Sequence, residues 1–332
     1  IVAYNHPLMF TAAKMAPPLM AGNSVIMKPP YQAPLSAYRM MELLDGILPP
    51  GVLNIITCGT PGAQALVQHP LVPRLSLIGS VPTGRAIAKA AADRLKHVTL
   101  ELGGKSASVI LPDADLAAAV KGSVSACMLN SGQTCSAHTR MLVPESRYEE
   151  AKALAQTAIA KLTLGPSLDE NTRLGPLVSA AQRDRVMHFI EQGIQEGAEV
   201  VAGGPQKPPF DKGYFVQPTI LRVKPTDTLA KEEIFGPVLV IITYKDEQDA
   251  IRIANDSIYG LGGGVWSSNQ DHAIAVARRI RTGQVDINGS PFNSNAPFGG
   301  YKQSGNGREN GKFGFEEFLE FKALQLPVPA KA

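Results

Sequence analysis

The residues LSLIGSVPTG, numbers 75–84, are the clearest indication of the fold class of this 332-residue chain. Its first four residues predict an apolar strand, a Gly-Ser turn follows, and a helix is predicted over 82–93. The same order of strand, turn and helix recurs at 24–44 and at 52–64, and another strand is predicted at 98–101. This repetition predicts an α/β fold in which helices cover a parallel sheet.

A second α/β unit is predicted after Gly103 and Gly104, where the pattern starts again. Its predicted elements are strands at 106–111, 200–202, 238–243 and 284–287, and helices at 116–128, 146–162 and 179–196. The organisation predicted from the pattern is therefore two α/β units that meet near the glycine pair.

Composition and charge exclude several classes of protein. Hydrophobic residues make up 44% of the chain and charged residues 18%, proportions typical of a globular protein rather than a disordered one. The net charge is only +3 and the basic residues are scattered, which argues against nucleic acid as a partner. The most apolar region, 7–27, is interrupted by Lys14, Pro17 and Pro18, so no membrane span is predicted.

Cysteine and histidine positions argue against a disulfide framework and a metal centre. Cys58, Cys127 and Cys135 cannot all pair, and a chain of this size needs no disulfide, so a reducing, cytoplasmic location is predicted. No cysteine or histidine spacing matches a zinc site. Asp113 and Asp115 precede a predicted helix, where acids are more often caps than metal ligands, so no metal is expected.

The first candidate site is GQTC (132–135), which follows a predicted helix. Backbone amides at such a turn stabilise a thiolate and an oxyanion, and a reactive cysteine needs a lowered pKa and access. A single cysteine is, however, more often a small buried apolar residue. Cys58 and Cys127 fit that structural role better than Cys135, because one ends an apolar strand and the other lies on an apolar helical face.

Two further candidates lie where predicted strands end. In LELGGK (100–105), Glu101 ends a buried strand ahead of two glycines, a position suited to a general base. A salt bridge with Lys105 or another cation explains this carboxylate equally well. The turn at 79–84 presents the N–H groups of a helix N-terminus to a phosphate, although a simple βα turn is the commoner meaning. The ordinary GxGxxG dinucleotide motif is absent.

Taken together, seven motifs in a shared order make the chain similar to the aldehyde dehydrogenase superfamily, NAD(P)-dependent and non-acylating, over essentially its whole length. The motifs are YNHP (4–7), GNSV with KP (22–25, 28–29), GS with a glycine (79–80, 84), LELGGK (100–105), GQTC (132–135), EEIFGP (232–237), and PFGG with K, SG and GRE (297–300, 302, 304–305, 307–309). The resemblance implies a Rossmann-type cofactor domain at 1–102 and an α/β catalytic domain at 103–304. It also implies a C-terminal segment, 305–332, that carries an oligomerisation strand.

The resemblance implies catalytic roles for three residues. Cys135 would be the nucleophile that attacks an aldehyde, while the Asn5 side-chain amide and the Cys135 backbone N–H hold the oxyanion. Transfer of hydride to the nicotinamide would leave a thioester. Glu101 would then activate the water that hydrolyses this thioester to a carboxylic acid.

The resemblance also implies a set of cofactor contacts. Tyr31 stands where NAD-preferring members often carry glutamate, so NAD and NADP both remain open, with NAD slightly favoured. The implied contacts are Lys28 on the adenosine ribose, Gly79, Ser80 and Gly84 facing the pyrophosphate, Leu102 on the carboxamide, Glu233 on the nicotinamide ribose, and Phe235 near the nicotinamide.

The remaining implications concern the substrate channel and the partners of the chain. His6, Met9 and Phe10 would line the substrate tunnel, and His6 would make its entrance less uniformly apolar. The stretch 318–327 resembles the family's last strand, which crosses to a partner subunit, so a homodimer or homotetramer is expected. Residues 1–4 look like the tail of a buried strand, and the chain is expected to lack an N-terminal segment of the family.

Other functions remain open at this point. A CoA-acylating relative is disfavoured, because Glu101 is present to activate water. Cys135 and Glu101 could instead hydrolyse activated esters without any cofactor. A chain without the N-terminal segment could also be an inactive or assembly-only fragment, although competent residues at all three catalytic positions count against this.

Overall fold

The computed structural model describes residues 1–327, and residues 328–332 lie outside the described part of the chain. Helices and short strands alternate along most of it. The helices are α1 (Pro7–Met20), α2 (Leu35–Leu44), α3 (Thr60–Gln68), α4 (Val81–Ala92), α5 (Leu116–Met128), α6 (Tyr148–Ile159), α7 (Ala180–Gln195), α8 (Thr228–Lys231), α9 (Glu247–Asn255), α10 (Gln270–Ala277) and α11 (Gly311–Glu316). The strands are β1 (Val25–Met27), β2 (Leu53–Ile55), β3 (Arg74–Ile78), β4 (His97–Glu101), β5 (Ala107–Ile110), β6 (Arg140–Pro144), β7 (Glu199–Ala202), β8 (Thr219–Arg222), β9 (Val238–Tyr244), β10 (Gly263–Trp266), β11 (Asp286–Ile287) and β12 (Gly305–Asn306).

The strands between residues 107 and 287 form a seven-stranded sheet in the order β11-β10-β5-β6-β9-β8-β7. Neighbouring strands are parallel except for β7, which runs antiparallel to β8. Alternate residues of β9 enter different cores: Val240 and Ile242 pack into one apolar cluster, and Leu239 and Ile241 into the other. Both faces of the sheet are covered, which explains why its strands are continuous apolar runs.

Strands β1 to β4 form two small sheets that the first residues of the chain connect. β1 pairs with β2 and β3 pairs with β4, in parallel in both cases. The Ile78 N–H donates to the Ile1 carbonyl at 3.1 Å, and the Val2 N–H donates to the Lys28 carbonyl at 3.2 Å. The predicted strand tail therefore lies between β1 and β3, and the predicted α/β fold class is confirmed.

A short strand from far along the chain extends the sheet at the end of β4. β12 pairs antiparallel with β4 and places Gly305 opposite Glu101. The Leu102 N–H donates to the Ser304 carbonyl at 2.9 Å, and the Ser304 hydroxyl donates to the Gly103 carbonyl at 2.6 Å. The segment around Ser304 thus holds the backbone that follows Glu101.

The acids before α5 have structural roles. Asp115 Oδ1 accepts the Ala118 N–H at 3.1 Å and caps the helix, as its position predicted. The Asp113 carboxylate accepts the hydroxyls of Ser267 at 2.6 Å and Ser268 at 2.9 Å, which anchors the loop after β10.

The structure differs from the sequence-based expectations near both ends. Helix α1 forms across a stretch for which no helix was predicted, although Pro17 and Pro18 lie inside it. In the described part of the chain, no helix is both long and apolar enough to cross a membrane. Residues 318–327 contain no strand, and Phe321 and Leu324 there are exposed, so the oligomerisation strand stays a prediction.

Candidate active site

One cavity, of about 530 Å³, gathers residues from distant stretches of the chain. It lies at the carboxyl ends of β3 and β4, where open α/β sheets place their ligands. The structure brings to it the three residues expected to be catalytic and most of those expected around the nicotinamide. The predicted residues that line it are Asn5, Gly79, Ser80, Glu101, Leu102, Cys135, Glu233 and Phe235.

Cys135 lies on the loop between α5 and β6, and this loop has an unusual backbone. Asn130, Ser131 and Gly132 have consecutive φ angles of 53°, 56° and 73°. This left-handed region is readily adopted by glycine and, among other residues, best by asparagine and aspartate. A Cβ on Gly132 would collide with the backbone of Gly236, so the close approach of these segments requires glycine here.

The surroundings of the Cys135 thiol do not activate it in this structure. Burial of the thiol, followed by the carboxylates of Glu233 and Glu101, raises its pKa to about 12, while the N–H groups of Ser136 and Cys135 act in the opposite direction. The turn amides thus act on the thiol in the direction expected of them, but burial outweighs them. At neutral pH the residue is a thiol, so its attack on a carbonyl requires a group that accepts its proton.

Glu101 ends β4, is 3% exposed, and neither of its carboxyl oxygens has a hydrogen-bond partner among the described residues. Burial and then Glu309 raise its pKa well above the ordinary value, while Lys14 and Arg308 act against them. The salt bridge considered for Glu101 and Lys105 is not formed, because the Lys105 Nζ is also without a partner in the described chain. Glu101 becomes a base only when it ionises, at a pH well above that of an exposed glutamate.

Two charged residues behind Glu101 were not among the predicted site residues. Lys14 of α1 forms an ion pair with Glu309, and its Nζ donates to the Ser76 hydroxyl at 2.7 Å. Lys14 is only 6% exposed, on a largely apolar helix. A lysine isolated among apolar residues is the sequence signal that could have identified it, because buried lysines are nearly always paired.

Asn5 lies just before α1, with 8% exposure and a side-chain Oδ1 that has no partner among residues 1–327. Its backbone carbonyl accepts a hydrogen bond from Asn130 Nδ2 at 2.7 Å. Asn5 and Cys135 line the same cavity. A side-chain amide in this position can donate to an oxyanion that develops on a carbon bonded to Cys135.

The Glu233 carboxylate rests on the glycine pair that follows β4. The Gly104 N–H donates to its Oε1 at 2.9 Å, and a Cβ on Gly103 would collide with the same carboxylate. Burial raises the pKa of Glu233 to about 7, while the Gly104 N–H and Lys105 act against burial. Glu233 therefore ionises near neutral pH beside the Cys135 thiol.

Phe235 has a φ of 60°, a strained conformation for a bulky residue. Gln182 of α7 holds it, because its Nε2 donates to the carbonyls of Phe235 at 2.8 Å and Ile234 at 3.2 Å. The Phe235 ring packs edge-on against Tyr4, with centroids 6.0 Å apart. Gln182 was not among the predicted site residues, since its contacts join segments that are far apart in the chain.

A second cavity, of about 590 Å³, adjoins the first at Pro82, near the N-terminus of α4. Lys28 and Tyr31, which follow β1, line it. Ser80 caps α4 by accepting the Thr83 N–H at 3.4 Å. The positive end of this helix and the Lys28 ammonium favour an anionic group where the cavities meet.

Gly84 lines neither cavity, although it was expected to face the pyrophosphate. A Cβ at this position would collide with the side chain of Leu102. The structure therefore gives Gly84 a packing role, in which it lets α4 approach the end of β4 closely.

The residues expected in the substrate tunnel have three different environments. Phe10 is 8% exposed, belongs to an apolar core cluster and lines neither cavity, so its place in the substrate tunnel stays a prediction. Met9 is exposed on α1. The His6 Nε2 lies 3.3 Å from the hydroxyl of Thr134, the residue next to Cys135, so His6 contacts the thiol loop.

Comparisons with known proteins identify the family that the chain is similar to. A model of the aldehyde dehydrogenase family matches residues 1–324. The 3-succinoylsemialdehyde-pyridine dehydrogenase of a Pseudomonas species is 49% identical over 328 residues, which covers 98% of this chain and 69% of the relative. Geranial dehydrogenase of Castellaniella defragrans is 44% identical over 328 residues, which covers 98% of this chain and 68% of the relative.

Solved structures show the same likeness. A variant of aldehyde dehydrogenase C from Pseudomonas syringae, complexed with NAD+ and octanal, matches with a TM-score of 0.97 and 45% identity, covering 100% of this chain and 69% of that one. Aldehyde dehydrogenase of Mycobacterium tuberculosis, complexed with NAD+, has the same TM-score, identity and coverage. The resemblance inferred from the seven motifs is thus confirmed: this chain belongs to the aldehyde dehydrogenase family.

Proposed function

We propose that this chain oxidises an aldehyde to a carboxylic acid with NAD+, through a covalent adduct on Cys135. One observation carries the proposal: the thiol of Cys135, the carboxyl group of Glu101 and the amide of Asn5 surround one cavity. A nucleophile, a base and an oxyanion donor are the groups that two-step acyl chemistry requires. We assign a cofactor-binding domain to 1–102, which also carries Asn5 and Glu101. We assign a catalytic domain to 103–304, which carries Cys135 and contributes Glu233 and Phe235 to the nicotinamide end of the cavity.

The two adjoining cavities fit a dinucleotide. Lys28 and Tyr31 would hold the adenosine half, the N-terminus of α4 the pyrophosphate, and Glu233 and Phe235 the nicotinamide half. When bound, the nicotinamide takes the hydrogen and two electrons whose loss converts the Cys135 adduct into a thioester. NAD+ in the two solved structures named above supports NAD for this chain.

In the first half of the reaction, Cys135 adds to the aldehyde. The Sγ–C bond forms, the carbonyl π electrons move to oxygen, and the thiol proton leaves. Glu233 and Glu101 both act on the thiol electrostatically, so the ionised member of this pair takes the proton. The Asn5 amide and the Cys135 N–H stabilise the oxyanion, and one such donor is typically worth about 3 kcal/mol.

In the second half, Glu101 removes a proton from water while the water oxygen attacks the thioester carbon. The C–S bond breaks and the acid leaves. The Cys135 thiolate then regains this proton from Glu101. The proton that left the thiol in the first half is released from its carboxylate to solvent before water is activated, so the complete cycle yields one free proton and restores the starting state. This step needs Glu101 in its ionised form, so the charges around Glu101 control it.

Opposite replacements behind Glu101 are expected to move the pH profile of kcat in opposite directions. Lys14→Met removes a cation that favours ionised Glu101, so the pKa of Glu101 rises and the increasing limb of kcat moves to higher pH. Glu309→Gln removes an anion that disfavours ionised Glu101, so the limb moves to lower pH. Steady-state kcat measured from acid to alkaline pH checks both, and shifts in the same direction would contradict this account.

Tyr31→Glu is expected to increase the preference for NAD+ over NADP+. Tyr31 is exposed and lines the cavity assigned to adenosine. A glutamate there can accept hydrogen bonds from the ribose hydroxyls and repels a 2′-phosphate. The measurement is the ratio of kcat/KM for the two cofactors, with Tyr31→Gln as the uncharged control. An unchanged ratio in Tyr31→Glu would show that residue 31 does not contact the adenosine ribose.

Polar residues near Cys135 bear on which aldehydes the chain accepts, and exposed apolar residues near its C-terminus bear on its assembly. The polar pair of His6 and Thr134 next to Cys135 favours aldehydes that carry a polar group near the carbonyl. Assembly into a homodimer or homotetramer through 318–327 is supported by the exposure of Phe321, Leu324 and Leu326.

Absorbance of reduced nicotinamide, followed with a panel of aldehydes and NAD+ or NADP+ separately, tests the proposed function. Formation of reduced cofactor together with the carboxylic acid in equal amounts is the expected result. Release of nitrophenolate from nitrophenyl acetate, without any reduction of NAD+ or NADP+ by aldehydes, would instead assign the chain to cofactor-independent ester hydrolysis.

A further inference from the structure

The side chain of Asn130 joins two parts of the site that are far apart in the chain. Its Nδ2 donates to the Asn5 carbonyl at 2.7 Å and to the Gln133 carbonyl at 3.3 Å. Asn5 precedes α1, whereas Gln133 belongs to the loop of Cys135. One amide group therefore ties the backbone that carries the Asn5 side chain to the loop that carries the thiol.

The Asn130 backbone is part of the same hydrogen-bonded network. Its carbonyl accepts the Gln133 N–H at 3.1 Å and the Gln133 Nε2 at 3.4 Å. The Gln133 Oε1 in turn accepts the Val178 N–H at 3.1 Å, just before α7 begins. The network thus runs from the start of α7, through the cysteine loop, to Asn5.

Packing does not explain why Asn130 adopts its conformation. The residue is exposed, yet its φ and ψ of 53° and 39° are left-handed. Asparagine adopts this region more readily than most residues, and contacts with the surroundings then decide whether it stays there. Here the surrounding interactions are the bonds to Asn5 and Gln133.

From this geometry we infer that Asn130 is a positioning residue, which sets the distance between the Asn5 amide and the Cys135 thiol. Oxyanion stabilisation depends on donors that lie in place before the reaction begins. The inference rests on the proposed function, in which Asn5 binds the oxyanion. Asn130 itself contacts neither the substrate nor the thiol in this account.

Asn130→Gly and Asn130→Asp each remove the hydrogen bonds that the Asn130 side chain donates to the carbonyls of Asn5 and Gln133. Glycine keeps the left-handed backbone without the amide, whereas aspartate keeps the size and much of the backbone preference without N–H donors. In both variants, kcat for aldehyde oxidation is expected to fall roughly 10- to 100-fold, the scale for misplacing a reacting group by about 1 Å. The KM for NAD+ is expected to stay within about twofold. Wild-type kcat in either variant would overturn the inference.

Asn288→Gly is the matched control. Asn288 is also exposed and left-handed, with a φ of 51°, and its Nδ2 donates to the Ser267 carbonyl at 3.0 Å. The kcat of Asn288→Gly is expected to stay within about twofold of wild type, because the hydrogen bond from Asn288 to Ser267 does not join Asn5 to the cysteine loop. A loss of kcat as large as that in Asn130→Gly would assign the effect to strained loops in general and overturn the inference.

A double-mutant cycle shows whether Asn130 acts through Asn5. Asn5→Ala alone is expected to lower kcat by about 10²- to 10³-fold, as for loss of an oxyanion donor. In that background, Asn130→Gly should lower kcat by less than about twofold further. If kcat of the double variant falls by the product of the two single reductions, Asn130 acts independently of Asn5, and the inference is overturned.

Two reactions separate this inference from the proposed function. Hydrolysis of nitrophenyl acetate needs the oxyanion but no cofactor, so Asn130→Gly should slow it by the same roughly 10- to 100-fold even if the chain reduced no NAD+. Alkylation of Cys135 by iodoacetamide needs the thiolate but no oxyanion, so its rate should not change. Slower alkylation in Asn130→Gly would place the effect on the thiol rather than on Asn5 and overturn the inference.

Discussion

Aldehyde-dependent reduction of NAD+ is expected to fall by roughly 10⁴-fold or more when Cys135 is replaced by alanine, as when other covalent nucleophiles are removed. No other thiol can take its place. Cys127 is fully buried in the core, with its Sγ 3.5 Å from the Val238 carbonyl. Cys58 lines the neighbouring cavity, which is assigned to adenosine. The rate at which reduced nicotinamide appears at saturating aldehyde measures the effect.

Cys127→Ala is the matched control for this substitution. It removes a thiol from the same part of the chain but outside the cavity, so activity close to wild type is expected after correction for any loss of stability. Binding of NAD+ to Cys135→Ala, measured by calorimetry, should persist and shows that the variant is folded. Dehydrogenase turnover at wild-type rates in Cys135→Ala would exclude the covalent mechanism.

Glu101→Gln is expected to uncouple the two halves of the reaction. Glutamine keeps the size of the side chain but cannot accept a proton from water, so the thioester on Cys135 should form and then persist. Steady-state kcat is expected to fall by about 10²- to 10⁴-fold, after a burst of reduced nicotinamide of about one per site. Rapid-mixing absorbance measures the burst, and the mass of the intact protein shows the acyl group on Cys135.

The same experiment decides which carboxylate takes the thiol proton. A burst of full size at the wild-type rate would leave that role to Glu233, whose pKa of about 7 lies near working pH. Loss of the burst together with the steady state would mean that Glu101 is already needed in the first half, contrary to a purely hydrolytic role. Glu232→Gln, at the exposed rim of the same cavity, is the control and should keep wild-type kinetics.

Local patterns predicted the α/β class and most elements of the first unit, because strand, turn and helix signals lie within a few residues of one another. The pairing of β12 with β4 was not predictable in this way, since Gly305 and Glu101 are opposite each other in the sheet but far apart in the chain. Helix α1 was missed because Pro17 and Pro18 interrupt its pattern. Strands such as β8 and β10 were missed because they are short and lie among turn residues.

The residues of the candidate site likewise fall into those that local motifs predicted and those that they did not. Cys135, Glu101 and Asn5 were predicted, because each lies in a motif made of a few adjacent residues. Lys14, Glu309, Gln182 and Asn130 were not, because each acts on a residue elsewhere in the chain, through contacts that no local pattern contains.

The residue types established which chemical groups are available: a thiol in GQTC, a carboxylate at the end of a strand, and an amide in YNHP. The protonation states of the titratable groups followed only from how the chain packs. Burial among distant carboxylates raises the pKa of Cys135 to about 12, and burial raises that of Glu233 to about 7. The physical reason is that the pKa of a group depends on solvent access and nearby charge, and both are set by packing between segments that the chain order keeps apart.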